Sequence, residues 1–254
     1  MPGITEILQK TQHWPLHTLF EGAAYFIAYR YFLYLRPKQA DPISTEHRLW
    51  ILVGAAIGAL FFSRALAWLE NPAQFSQSHW RTLLLLSNKT IVGGLLGGLL
   101  GVEIVKKFLG VKVSSGDLMT YPLILGMMIG RVGCFFAGLQ DATFGCPTEL
   151  PWGIDSGDGI LRHPTNLYEI LFLGGLWLCL RRIEKHRSLA DGARFKIFMI
   201  AYLAFRFLIE FLKPFPVLGF GLSAIQVACL LGLFYYSREI LRPQVLFNPK
   251  MERA

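Results

Sequence analysis

The chain has 254 residues, of which 53% are hydrophobic and 14% aromatic, and it carries a formal net charge of +8. With a mean hydropathy of +0.42, this composition excludes a chain solvated mainly by water and makes hydrocarbon its principal solvent. The excess of positive charge matches an anionic cytoplasmic leaflet and calls for no nucleic acid.

Seven stretches are apolar and long enough to cross a core of roughly 30 Å. They cover about 18–35, 49–69, 90–108, 118–138, 166–180, 195–212 and 219–237. The expected fold is an all-α polytopic membrane protein of about seven transmembrane helices, with residues 1–254 forming a single transmembrane domain. Residues 1–17 are polar and carry Pro2 and Pro15. No cleavable signal peptide is therefore expected, and the first span stays as an anchor. The third span holds IVGGLLGGLLG at residues 91–101. These glycines suit close helix packing in the small-xxx-small manner, or a thin wall against which an acyl chain or headgroup fits. The fifth stretch is short and has to extend into its flanks.

Orientation follows from the basic residues, which collect in cytoplasmic loops. With the N-terminus outside, 16 of the 25 lysines and arginines fall on the inner side and 5 on the outer side, leaving Arg30, Arg64, Arg131 and Arg206 within spans. The N-terminus is thus expected to be extracytoplasmic and the C-terminus cytoplasmic. The segment 139–165 then becomes an extracytoplasmic loop resting on the interface. Its prolines and glycines favour fixed turns over regular elements. Trp152, in LPWG, is an amphipathic ring of the kind that sits at headgroup level.

Charges inside spans are costly and usually face a cavity or a partner. In AYLAFRFLIEFLKP, Arg206, Glu210 and Lys213 stand at i, i+4 and i+7, one stripe leading outward. Either a buried ion pair locks this helix to its neighbours, or the stripe is a lipid phosphate site. Arg131, at a similar outer depth, favours the second, because two guanidiniums offer planar, bidentate donors to a phosphodiester. Glu169 lies about one turn inside the fifth helix, where a carboxylate complements the helix dipole or serves the site. Glu103, followed by Lys106 and Lys107, reads as a local ion pair. Cys134, Cys146, Cys179 and Cys229 show no metal-ligand spacing. Cys134 and Cys146 both fall toward the outer side and are open to pairing there. No metal or cofactor is expected.

Together these segments resemble the prolipoprotein diacylglyceryl transferases, bacterial inner-membrane enzymes of seven spans and this orientation. Residues 130–133, GRVG, resemble the family's Gly-Arg-x-Gly signature and carry over Arg131 and Gly133. FG-x-PT-x-LPWG resembles its outer loop, with Gly145 matching. RHPTNLYE resembles the family's Arg-His-Pro run and carries over Arg162, His163, Tyr168 and Glu169, with Asn166 in place of a glutamine. FRFLIEFLKP carries over Arg206, Glu210 and Lys213. Where the family has an asparagine after Gly-Arg-x-Gly this chain has Cys134, and Leu139 stands where a glutamate follows. The resemblance spans roughly residues 90–240.

It implies transfer of the diacylglyceryl group of phosphatidylglycerol to a lipobox cysteine of a prolipoprotein, with glycerol phosphate leaving. Arg131 and Arg206 would neutralise the phosphodiester, and Gly133, Gly145, Arg162, Tyr168 and Lys213 complete the expected binding set. His163, Glu210 or Asp141 would take the acceptor's proton, and Glu169 joins them as a catalytic candidate. The changed positions leave open a relative that uses the same lipid with another acceptor. A non-catalytic lipid-binding or transport protein is the remaining alternative.

Overall fold

The computed structural model describes residues 13–39, 41–70, 89–140, 143–214 and 221–247. Its helices are α1 (His13–Lys38), α2 (Thr45–Glu70), α3 (Ile91–Leu109), α4 (Asp117–Ala137), α5 (Thr165–His186), α6 (Ala193–Ile209), α7 (Ala224–Tyr235) and the short α8 (Ser237–Leu241). Single 3-10 turns at Gly138–Gln140 and Glu210–Leu212 prolong α4 and α6. Between α4 and α5 the strands β1 (Ile154–Asp155) and β2 (Leu161–Arg162) form a small antiparallel hairpin, with Ile154 opposite Arg162.

By length and apolar composition, α2 and α4 are able to cross a bilayer. The outside of the bundle is as apolar as its inside: Phe108, Phe234 and Leu171 are among the large side chains facing outward. Such a surface is expected where the surroundings are hydrocarbon. The core gathers Tyr121 and Ile124 of α4, Leu173 and Leu180 of α5, Phe198, Met199 and Leu203 of α6, and Cys229 of α7.

Local chemistry sets where the helices begin and end. Thr90 caps α3 by accepting from the Gly93 amide, and Gly110, at φ 69°, closes it in the left-handed region. The fifth apolar stretch does extend into its flanks, and α5 reaches 22 residues. The last helix is shorter than its apolar stretch. A capping box between Ser223 and Gln226 starts α7, which breaks at Tyr236 after 12 residues, a length of about 18 Å. The buried Glu70 at the end of α2 reinforces that start, its Oε1 accepting from the Ile225 amide at 2.7 Å.

The glycine run is a packing seam. A Cβ on Gly97 would lie 2.3 Å from the Gly58 carbonyl oxygen, and one on Gly58 would lie 2.1 Å from that of Gly97. Gly101 and Gly93 meet the Gly54 and Phe62 carbonyls in the same way, at 2.1 and 2.4 Å. Backbone therefore touches backbone along α2 and α3, the small-residue approach typical of helices in lipid. At the end of the bundle near the α1–α2 turn, buried Asp41 binds both Arg48 and Arg36, the latter through Nε at 3.1 Å. Arg48 also donates to the Ser115 carbonyl at 3.0 Å, which ties this turn to the start of α4.

Candidate active site

Three helix ends converge at the opposite end of the bundle and bring four charged side chains together. Arg131 comes from the last two turns of α4, Glu169 from the first turn of α5, Arg206 from the last turn of α6, and Glu210 from the 3-10 turn that follows. All four side chains are buried, each no more than 4% exposed. Glu169 bridges the two arginines, with Oε1 2.9 Å from Arg131 Nε and Oε2 3.5 Å from Arg206 Nη1. Arg206 Nη2 donates to Glu210 Oε2 at 2.7 Å. The Tyr202 hydroxyl donates to Glu169 Oε1 at 2.8 Å.

Pairing makes this burial tolerable, because an isolated ion in such surroundings is prohibitive. It is incomplete, however. Arg206 Nε and Glu210 Oε1 are buried and make no hydrogen bond, and the contacts of Arg131 Nε and Arg206 Nη1 with Glu169 are ion pairs without hydrogen-bond geometry. Buried polar atoms left in this state are few in native proteins and point to a missing polar partner. Lys213, which follows the 3-10 turn, is also buried. Both features that the sequence suggested for the Arg206 stripe are thus present in one place: an ion pair, and a guanidinium donor, Arg206 Nε, still unused.

The loop between α4 and α5 closes over these helix ends by backbone pairing. The Cys146 amide donates to the Leu212 carbonyl at 2.7 Å, and the His163 amide donates to the Cys146 carbonyl at 3.1 Å. Gly145 is required at this crossing, since a Cβ there would sit 2.5 Å from the His163 carbonyl oxygen. Thr165 Oγ1 donates to the Thr143 carbonyl at 2.7 Å. In the hairpin turn, Asp155 Oδ1 accepts from the amides of Gly157, Asp158 and Gly159 at 2.8, 3.1 and 3.0 Å. Arg162 grips Asp158 with two bonds of 2.7 Å and lies over the Phe144 ring. The Arg162 guanidinium holds the Asp158 carboxyl below its ordinary range. Arg162 therefore fastens the loop and stands outside the buried cluster.

His163 belongs to a second group. Its Nδ1 lies 3.3 Å from the Tyr168 hydroxyl, which itself accepts from Trp152 Nε1 at 2.7 Å. Gly133 lets α1 approach closely, for a Cβ there would meet Phe20 Cβ at 2.7 Å. Next to it, Cys134 Sγ lies 3.8 Å from Arg131 Nη1 and 3.8 Å from His17 Nε2. Cys134 and Cys146 are both free thiols. Asp141 lies outside the described residues. Among those residues, no group of three or more His, Cys, Asp or Glu side chains is placed to hold a metal ion.

Sequence reasoning missed Tyr202 and Glu70. Tyr202 carried a usable signal, being four residues before Arg206 and so on the same helical face. Glu70 ends an apolar stretch, where an acid reads as a solvated terminus; only its contact with α7 reveals its burial.

Comparison with known proteins bears on this site. The family model for prolipoprotein diacylglyceryl transferase matches residues 13–237. The chain is similar to the phosphatidylglycerol–prolipoprotein diacylglyceryl transferase of Solidesulfovibrio magneticus, 33% identical over 196 residues, covering 72% of this chain and 68% of that protein. The similarly named protein of Nitratidesulfovibrio vulgaris strain Miyazaki F is 32% identical over 76% of this chain and 73% of its own length. For that of a Wolbachia from Brugia malayi the identity is 28%, over 76% and 73%. The chain therefore belongs to the prolipoprotein diacylglyceryl transferase family.

Proposed function

We propose that this protein moves the diacylglyceryl group of phosphatidylglycerol onto the lipobox cysteine of a prolipoprotein and releases glycerol phosphate. The observation that carries this reading is the buried Arg131–Glu169–Arg206–Glu210 cluster, whose guanidinium donors include Arg206 Nε, which makes no hydrogen bond. A phosphodiester is a single anion with several acceptor oxygens, and it fits those donors. In a dry site, prearranged guanidiniums stabilise the charge that grows on the leaving phosphate oxygen. The acceptor sulfur forms its bond to the glycerol carbon as that carbon's bond to the phosphate oxygen breaks, and the thiol proton passes to a base. Glu210 suits that role, because Oε2 is committed to Arg206 while Oε1 has no partner among the described residues. His163, held by Tyr168 beneath the loop, is the other candidate.

The setting is a bacterial inner membrane crossed seven times, N-terminus outside and C-terminus inside. The distribution of basic residues and the apolar outer surface support it. The buried cluster then opens toward the extracytoplasmic face beneath the 139–165 loop.

Incubating the purified protein with labelled phosphatidylglycerol and a lipobox peptide tests the reading. Lipid-tagged peptide is expected, and Arg131→Ala should lower its formation at least about 100-fold while the protein remains folded. An Arg131→Ala variant that is folded and fully active would sink the phosphate role. A second reading, the same lipid with another acceptor, is favoured by Cys134, which stands beside Arg131 and His17 where relatives are expected to have an asparagine. Consumption of lipid without tagging of the peptide would select it.

A further inference from the structure

The α2–α3 pair packs on itself and meets the rest of the bundle mainly through α7. It stands off from α4 and α6, and the gap is a cavity of about 630 Å³. This cavity lies toward the end of the bundle away from Arg131 and Arg206. Lys106 at the end of α3, Lys112 beyond it, Lys196 at the start of α6 and Arg238 after α7 surround its mouth. Deeper, its walls are apolar, with Leu52 of α2, Leu95 and Leu99 of α3, and Met119 and Leu123 of α4. From Lys106 to Gly94 the lining follows α3 for about 18 Å, over half of a roughly 30 Å hydrocarbon core.

Five cations against three acids leave two positive charges on the lining. Three of the five cations are engaged: Lys106 with Glu103 at 3.4 Å, Lys196 with Glu239 at 2.8 Å, and Arg48 with Asp41. Lys112 and Arg238 make no salt bridge among the described residues, Arg238 lying beside Glu239, whose carboxylate is held by Lys196. An apolar gap of this size neither wets readily nor gains from standing empty, because its walls lose their dispersion contacts. The occupant that satisfies both parts has an acyl chain for the depth and an anionic head for the mouth.

We propose that this cavity binds one anionic diacyl phospholipid of the cytoplasmic leaflet, an acyl chain between α3 and α4 and the phosphate at Lys112 and Arg238. The site is separate from the reaction centre. Its assignment to that leaflet rests on the orientation proposed above.

The test uses the full-length protein in phosphatidylcholine vesicles doped with phosphatidylglycerol that bears a photoreactive diazirine in one acyl chain. After irradiation, label is expected on the segments 94–102 and 119–123. Labelling there should fall at least fivefold in the Lys112→Glu/Arg238→Glu double variant. It should fall similarly in Gly98→Leu, which fills the cavity at a position where a Cβ makes only ordinary contacts of 3.6 and 3.7 Å. Label elsewhere on the protein should be unchanged. Absence of label from these segments, equal labelling by diazirine phosphatidylcholine, or displacement of the label by an apolar signal peptide would overturn the proposal. Turnover measured on the same samples reports separately: a labelled cavity without turnover sinks the transferase reading alone, and turnover with an unlabelled cavity sinks this one alone.

Discussion

Glu169 is the residue on which the buried cluster depends. It faces two guanidiniums and accepts from Tyr202, so removing its charge takes the acidic partner from Arg131 and leaves Arg206 with Glu210 alone. Glu169→Gln should destabilise the protein by about 3 kcal/mol, read as a lowered Tm in detergent, whereas Tyr202→Phe should cost about 1 kcal/mol. A Glu169→Gln protein as stable as the parent would show that the arginines find other partners. At the far end of the bundle, burial alone would raise the Asp41 carboxyl. The hydrogen bonds from Arg48 and Ile43 and the charges of Arg48 and Arg36 outweigh it, so this pKa lies below the ordinary 3.8. A carboxyl lowered by folding contributes its full stability above the unfolded value and loses it as pH falls through the folded one. Asp41→Asn should therefore cost about 2 kcal/mol at pH 7. The Tm difference from the parent should persist at pH 5 and shrink only below about pH 4. The arginines and acids were legible in the sequence because a charge in an apolar stretch has few innocent explanations. Their pairing was not, since Arg131 and Glu169 are 38 positions apart and only the meeting of α4 with α5 joins them.

Among the elements, the α2–α3 seam and the α4–α5 loop rest on different forces. Overpacking at the seam meets a main-chain carbonyl oxygen first, and at Gly97 the Phe62 side chain as well. Gly97→Val should accordingly lower stability by about 3 kcal/mol or abolish folding, while Gly175→Ala, where nothing lies within 4 Å of the new Cβ, should remain near neutral. Chemical denaturation of both variants in the same detergent compares them directly. The loop depends on polar fastening, so Trp152→Phe should loosen it without unfolding the bundle, seen as faster proteolytic nicking within 143–163. Helix positions followed from apolar runs, which is why six of the seven stretches agree closely with a helix. The seventh misled because apolarity says nothing of the Ser223 cap or the Tyr236 break that shorten α7.

At the scale of the whole molecule, the orientation makes a checkable statement. In a background lacking the native cysteines, Ser156→Cys should react with a membrane-impermeant maleimide added outside intact cells. Lys185→Cys should react only after the membrane is opened. The opposite pattern would invert the topology and place the buried cluster at the inner face. The order of the helices was legible from apolar runs along the chain, because composition is local information. The cavity beside α3 was not: it arises from how two self-packed helices stand relative to the other six.

The carbonyl contacts along α2 and α3 also limit what genetic change can repair. When two side chains clash, a smaller partner restores the fit, and second-site suppressors are common. At Gly58 and Gly101 every opposing atom is main chain, a carbonyl oxygen the nearest, which no codon can shrink. A selection for revertants of Gly101→Ala should therefore return glycine at 101 or distant stabilising changes, and no compensating substitution at the facing position.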